Sequence, residues 1–536
     1  MASRFRRTTV CVFLISIVTT AAQGRPTGSD MDSLISILGD RHAALPARER
    51  AAVRLGEIRG TNDAAIAALV GCFAEHDPFL CGKAATSLGR IGAAAIPRLL
   101  TAMQKVDDTV RWCSAIALGK MSGDRSAALP ALTAALHDRS SDVRWCAAAA
   151  LGNMGRAAAS ALPALRAVLE RGSEDEEVKW AAYAAIVDIG SGDFGGPTSL
   201  QAATAAIDSM LPALMHEYHV PGVSVVLVSD RKIAWSKSYG LHDSRTGEKV
   251  TPQTLFEACS MSKPVLAYLA MKLVDRRMLD LDTPLSVYLP EHFFSAGNFA
   301  DKVTARMVLS HTAGFPNWRK GEEEHEGPLP IFFLPGVRFS YSGEGYYYLQ
   351  RVVEKLTHEP LEVYAESELF GPLQMSHASF VWRKDLGPLI ATGHDTAGMV
   401  LDRTHYSHAN AAYSLYISAE DYARMLCCLL APEGSGDVAL SKGAREAMFS
   451  RQVEVQVRSA VSRPGTAMGL SVFWGLGWAI DSTITGNIVY HSGANRSGFR
   501  CYAQFRMDHG TGIVIMTNGL NGSDMWRRVI QQVGDF

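Results

Sequence analysis

The chain has no excess of either charge. Its 52 Lys and Arg stand against 54 Asp and Glu, a formal net charge of −2 over 536 residues. With no basic surplus, a nucleic-acid partner is not expected. Beyond residue 24 no stretch is apolar for the roughly 20 residues a bilayer span takes, so no stable membrane span is predicted. Cysteine is sparse, at nine residues, and the 16 histidines are scattered. No Cys/His group has zinc-ligand spacing, and no glycine-rich phosphate loop occurs. The prediction is no metal and no organic cofactor.

What is present begins at the N-terminus. Arg4, Arg6 and Arg7 precede the apolar Val10–Val18, and Thr20-Ala21-Ala22 or Ala22-Gln23-Gly24 offers small residues for cleavage. That layout predicts a signal peptide over residues 1–24 and an exported chain, periplasmic or secreted. No lipobox cysteine follows, since Cys11 lies inside the apolar stretch. Eight cysteines would remain after cleavage, and their spacing defines no pairing.

Residues 46–190 are rich in Ala and Leu and repeat themselves. Val110-Arg111-Trp112-Cys113, Val143-Arg144-Trp145-Cys146 and Val178-Lys179-Trp180-Ala181 are one motif three times. Leu55-Gly56, Leu88-Gly89, Leu118-Gly119 and Leu151-Gly152 mark its ends. Pro97, Pro130 and Pro163 fall 33 residues apart. Helix-length pieces broken by Gly and Pro at that period predict an α-solenoid, and the pattern resembles short HEAT repeats. Trp112, Trp145 and Trp180 are expected to be stacked packing residues. Arg111, Arg144 and Lys179 share one slot, with Asp108, Asp142 and Glu177 close by. The slot reads as a structural charge ladder, or as a basic stripe for a protein or cell-wall partner. The Gly-rich stretch Gly190–Pro197 reads as a linker, and the linker is expected over residues 191–198. The second domain is expected over residues 199–536.

In that domain Ser260-Met261-Ser262-Lys263 places a hydroxyl and an amine three residues apart, just after the strand-like Thr254–Ala258. If Ser260 opens a helix running to about Arg276, both side chains share one face. An amine held neutral there by burial and neighbouring cations takes the hydroxyl proton, and a helix N-terminus adds positive partial charge. Tyr341-Ser342-Gly343 follows among small turn-forming residues and reads as an exposed loop tip. His491-Ser492-Gly493 ends a predicted strand, Asn487–Tyr490.

Nucleophile, tyrosine and strand-borne H-x-G, in that order, resemble the serine β-lactamase and penicillin-binding-protein superfamily. The resemblance is closest to the class C-like branch, which includes D-amino-acid peptidases and esterases, and covers roughly Ser199 to Phe536. Phe256-Glu257-Ala258 and Leu309-Ser310-His311-Thr312-Ala313-Gly314 match locally as well. It implies that Ser260 is the acylated nucleophile and Lys263 its base or electrostatic partner. Tyr341 would be the proton shuttle, as a phenolate stabilised by Lys263 in one version. The oxyanion hole would be the backbone N–H groups of Ser260 and Ala494. His491, Ser492, Gly493 and Gly343 would line the substrate, with Arg500 as a candidate carboxylate anchor.

Two departures from the family pattern bear on the substrate. True class C β-lactamases carry Asn where this chain has Gly343, and its amide binds the substrate side chain. Their third motif begins with Lys, where His491 stands here with an unperturbed pKa of about 6.5. Both changes turn the expectation away from a true β-lactamase or a penicillin-binding DD-carboxypeptidase. They favour a small-molecule, peptide or ester substrate, and activity tracking the His491 titration if that substrate is anionic. A non-catalytic binding protein built on the solenoid is a third reading, disfavoured because Ser, Lys and Tyr are all kept. His311 reads as a structural histidine and Cys259 as an inward-facing hydrophobe. Trp318 reads equally as a cleft-mouth residue or as surface packing.

The fold class expected is therefore multidomain. An all-α HEAT-like solenoid precedes an α+β domain of class C β-lactamase type. Its chain ends build an antiparallel sheet under terminal helices, and residues 260–450 supply a helical region. Ser260 and Tyr341 would face His491 on an edge strand across the groove.

Overall fold

The computed structural model describes residues 28–533, except 59–61, 122, 176–177, 180, 183–184, 187–188, 190–198, 291–298, 320–327, 433–435, 437, 456–471 and 484–485. The expected signal peptide, Trp180, Glu177 and the expected linker lie outside the described residues.

The N-terminal half is a helical array that starts ahead of residue 46, with Gly28–Gly39 packed on Leu45–Glu57. Three later units are helix pairs: Pro78–Ile91 with Ile96–Ala102, Asp108–Gly119 with Leu129–Ala135, and Ser141–Asn153 with Leu162–Glu170. Pro97, Pro130 and Pro163 each occupy the first turn of the second helix, where no N–H is needed. The recurring Leu-Gly marks close approach between units. A Cβ on Gly56 would stand 2.6 Å from Ser87 Cβ, and one on Gly89 2.9 Å from Lys120 Cβ.

The ladder reading of the arginines holds, with different partners. Arg111 donates to Asp138 from Nε and Nη2 at 2.8 Å each, and its Nη1 caps the carbonyls of Lys105 and Val106. Arg144 pairs with Glu174 and caps Asp138 and Arg139 in the same way. Arg48 repeats the device with Glu75 and the Leu38 carbonyl. The acids lie at the end of the following helix, about one repeat on, and not beside the arginines in sequence. A guanidinium spent on a carboxylate and on helix-end carbonyls is not a stripe for a partner.

Among the described residues the C-terminal half contains twelve strands: β1 (Gly222–Ser229), β2 (Lys232–Asp243), β3 (Glu248–Lys249), β4 (Phe256–Glu257), β5 (Ala378–Ser379), β6 (Tyr416–Ile417), β7 (Val453–Glu454), β8 (Val472–Trp474), β9 (Ala479–Thr483), β10 (Gly486–Ala494), β11 (Arg500–Arg506) and β12 (Thr511–Thr517). Nine form one antiparallel sheet in the order β3-β2-β1-β12-β11-β10-β9-β8-β7. The segment before the nucleophile is not part of it. β4 belongs to a small sheet ordered β4-β6-β5.

Both faces of the large sheet are covered, so β1 and β12 carry buried apolar residues on both sides. Val223, Val225 and Leu227 of β1 face a core shared with the helices Leu200–Glu217 and Gly522–Val533. Val226 and Val228 face the helical region that includes the nucleophile helix. Among the described residues two ion pairs join the array to this domain, Glu49 with Arg338 at 3.5 Å and Lys120 with Glu454 on β7.

Candidate active site

Ser260 does not open the α-helix directly. A 3₁₀ turn, Cys259–Met261, precedes the helix Ser262–Asp275. Cys259 holds φ of +54°, a left-handed conformation that strains a residue with a side chain. It points inward, as expected, its thiol donating to the Glu257 carbonyl at 3.2 Å.

Lys263 is fully buried and places Nζ 3.3 Å from Ser260 Oγ. The same Nζ donates to the Ala412 carbonyl at 2.8 Å and lies 4.8 Å from the centre of the Tyr341 ring. Burial pushes the ammonium down from 10.5 to about 7. Desolvation alone achieves this, and no cation has to assist it. The free amine is therefore far more accessible near neutral pH than for an exposed lysine.

Tyr341 is not an exposed tip. Its ring packs on His311, with centroids 4.2 Å apart, and on Trp474 at 5.8 Å. Burial raises its phenol well above the ordinary value, while its hydrogen bond with Ser260 lowers it by less. The protonated form is favoured, and the phenolate version of its role loses its electrostatic basis.

His311 brackets this tyrosine from 30 residues upstream. Its carbonyl accepts from the Ser340 N–H at 2.7 Å, and its Nδ1 accepts from the Ser342 N–H at 3.0 Å. Its proton therefore sits on Nε2, and burial holds the ring neutral. A structural histidine was expected, but not one clamping both neighbours of Tyr341.

β10 is not an edge strand, because β9, β8 and β7 lie beyond it. Its pairing with β9 nevertheless ends at Tyr490, so His491–Ala494 is bonded on the β11 side alone. That free half lies against the nucleophile turn. A Cβ on Gly493 would stand 2.2 Å from the Ala258 carbonyl and 3.0 Å from Cys259 Cβ. Glycine is required there by proximity. By strand alternation His491 and Gly493 share this face and Ser492 takes the other. Ala494 is exposed beside the turn.

His491 is buried, edge-on to Trp474 at 5.7 Å, and its Nδ1–H donates to the Ser492 carbonyl at 2.8 Å. Burial first, and then the Lys263 charge, push it down to about 3. Burial thus favours the neutral ring and runs against the expected titration between pH 5 and 8. Arg500 turns Nη1 onto the carbonyls of Asn495 and Phe499, at 2.6 and 2.8 Å, and so braces the loop after β10.

Glu257 was not singled out by its own chemistry. Its buried carboxylate accepts from Tyr406 Oη at 2.8 Å, Asn495 Nδ2 at 2.8 Å and Ser497 Oγ at 2.6 Å. Standing three residues before Ser260, it ties the nucleophile segment to the loop behind Ala494. Its partners lie up to 240 residues away, so no local pattern could reveal them.

Fold and site together define a β-lactamase-like α+β domain with a Ser–Lys–Tyr constellation, carried behind a HEAT array. The chain belongs to the Beta-lactamase family, whose model matches residues 207–534, and the HEAT-repeat model matches 80–152 and 129–211. Protein flp of Staphylococcus aureus (strain MRSA252) is 23% identical over 205 residues, 36% of this chain and 41% of that protein. An N-acetylmuramyl-L-alanine amidase of Bacillus subtilis is 29% identical over 187 residues, 30% and 42% of the two chains. The matches thus span about two fifths of these relatives. Among solved structures, a D-alanine carboxypeptidase AmpC from Burkholderia cenocepacia superposes with a TM-score of 0.52 at 20% identity, covering 63% of this chain and 100% of that one. A class C beta-lactamase mutant gives 0.52 at 20%, covering 62% and 96%. Likeness at that identity establishes the fold.

Proposed function

We propose that the chain is an exported serine hydrolase working through an acyl-enzyme on peptide or ester substrates, in the manner of a D-amino-acid peptidase or an esterase. The observation that carries this is Lys263, buried, brought down to about 7, and 3.3 Å from Ser260 Oγ. A buried amine at that value is a general base near neutral pH.

In this reading Ser260 Oγ attacks the substrate carbonyl as Lys263 takes its proton. The tetrahedral oxyanion is met by the backbone N–H groups of Ser260 and Ala494. Removing one such donor typically costs on the order of 100- to 1000-fold. Tyr341, kept protonated by burial, hands its proton to the leaving group and recovers one from Lys263. Water then hydrolyses the serine ester by the same route in reverse. Gly343 and the neutral His491 supply neither the amide nor the cation of a true β-lactamase site, which supports the peptidase or esterase reading over a β-lactamase or DD-carboxypeptidase. The HEAT array is the element available to hold a protein or cell-wall partner near the cleft.

The test is intact mass against time with p-nitrophenyl butyrate and with benzylpenicillin, wild type beside Ser260→Ala. The expected result is Ser260-dependent ester turnover, no lasting penicillin adduct, and a nearly unchanged melting temperature for Ser260→Ala. Ester turnover surviving in clean Ser260→Ala would remove the nucleophile. A long-lived penicillin adduct would move the reading to a penicillin-binding protein.

A further inference from the structure

The place of a side chain at position 343 is already taken. A Cβ built on Gly343 would meet the Trp318 indole at 2.3 Å (Cη2) and 2.6 Å (Cζ2 and Cζ3). The indole is fixed in that slot through both of its neighbours. On one side, the Asn317 carbonyl accepts from the N–H groups of Gly343 and Glu344, at 3.1 Å each, and Asn317 Oδ1 accepts from Gly343 at 2.9 Å. On the other, the Arg319 N–H donates to Glu344 Oε1 at 3.0 Å, and its guanidinium pairs with the same buried carboxylate at 3.0 Å. Backbone bonds and a buried ion pair on either side leave the ring little freedom.

Trp318 also reaches a second segment. Its ring stands edge-on to Tyr413, with centroids 5.6 Å apart and planes at 76°. Tyr413 follows Ala412, whose carbonyl holds Lys263 Nζ. The indole thus bridges the segment two residues beyond Tyr341 and the segment that anchors the base. It keeps 38% of its surface exposed, among the exposed large hydrophobics of the chain. An indole fixed between Gly343 and Tyr413, and still open to solvent, offers an apolar π-face.

We propose that Trp318 is the specificity-determining wall of this site, and that it selects substrates whose acyl group carries an aromatic or flat apolar ring. The proposal rests on the serine-hydrolase reading. With the leaving group drawn to the Tyr341 hydroxyl, the acyl group is the part of the substrate left to meet the indole. The ring gains apolar burial and edge-to-face or offset contact with Trp318 and Tyr413. An amide-bearing acyl chain finds no matching amide at Gly343.

Boronic acids test this without a known substrate, because boron bonds to a serine Oγ and its substituent stands where the acyl group would. Calorimetry compares benzylboronic with methylboronic acid on the full chain, Trp318→Ala, Trp318→Phe and Ser260→Ala. Wild type is expected to favour the benzyl compound by about tenfold or more. Trp318→Ala should cut that ratio to about twofold, and Trp318→Phe should restore most of it. Ser260-dependent binding with no benzyl preference in wild type, or a ratio unchanged in Trp318→Ala, overturns the aromatic wall and leaves the hydrolase standing. Should Trp318→Ala not fold, a Trp318→Phe ratio equal to that of Trp318→Leu overturns it as well. No Ser260-dependent binding of either acid overturns the hydrolase, and this proposal with it.

Discussion

Lys263 is stored in the fold at a cost that can be measured. The unfolded chain titrates it near 10.5 and the folded chain near 7. The folded state therefore favours the neutral amine, and its stability falls as pH drops from 10.5 toward 7, where the unfolded chain takes up a proton that the folded chain holds only in part. Each tenfold difference in proton affinity is worth about 1.4 kcal/mol, so the penalty at pH 7 is on the order of 4 kcal/mol and shrinks to about 1 kcal/mol near pH 9.5. Lys263→Met keeps the volume and abolishes the titration. The variant is expected to be inactive and more stable at neutral pH, with the gap to wild type narrowing by ~3 kcal/mol between pH 7 and about pH 9.5. Urea unfolding of the full chain at the two pH values reads the gap directly. The comparison cancels whatever the substitution does to packing or to the Ala412 hydrogen bond, because those effects do not change with pH. A gap equal at both values would mean that burial does not depress Lys263, and the general base would have to be sought elsewhere.

Two further outcomes follow from the same geometry. The ratio kcat/KM should rise with pH through about 7 as Lys263 loses its proton, and His491→Asn should keep that limb, because His491 titrates near 3; a limb abolished in His491→Asn would return the titration to the histidine. Gly493→Ala should lower stability by ~1–3 kcal/mol through overpacking against the Ala258 carbonyl and reduce turnover on the order of 100-fold as Ala494 is displaced; wild-type melting and turnover would show that the strand does not press on the nucleophile turn.

The sequence carried more of the chemistry than of its setting. Ser260 and Lys263 were legible because three residues of helical spacing fix their relation locally. The repeats were legible because the prolines recur at a constant interval. What sets the properties of those residues is nonlocal. Ala412 reaches Lys263 across 149 residues, and that contact depends on the whole helical region. Tyr341 read as a loop tip because its sequence neighbours are small. Its burial comes from His311 and Trp474, supplied by other segments. His491 was assigned an ordinary titration because a sequence shows residue type and not desolvation. The small residue at 343 was visible as a departure, but the indole filling its place was not.

The pairing of β1 with β12 has a consequence for how the molecule is made. Val223 lies opposite Thr517, so the first long strand of the β-lactamase-like half, paired at once with β2, acquires its second partner only when the last strand is in place. The helical array has no such debt, since its units lean on neighbours in sequence and can form as they leave the ribosome. Synthesis therefore yields a finished arm attached to an unfinished β-lactamase-like domain, and a chain cut short before residue 511 carries Ser260 without the completed sheet that holds β10 beside it. The surroundings of Ser260 are complete only when the final strand arrives.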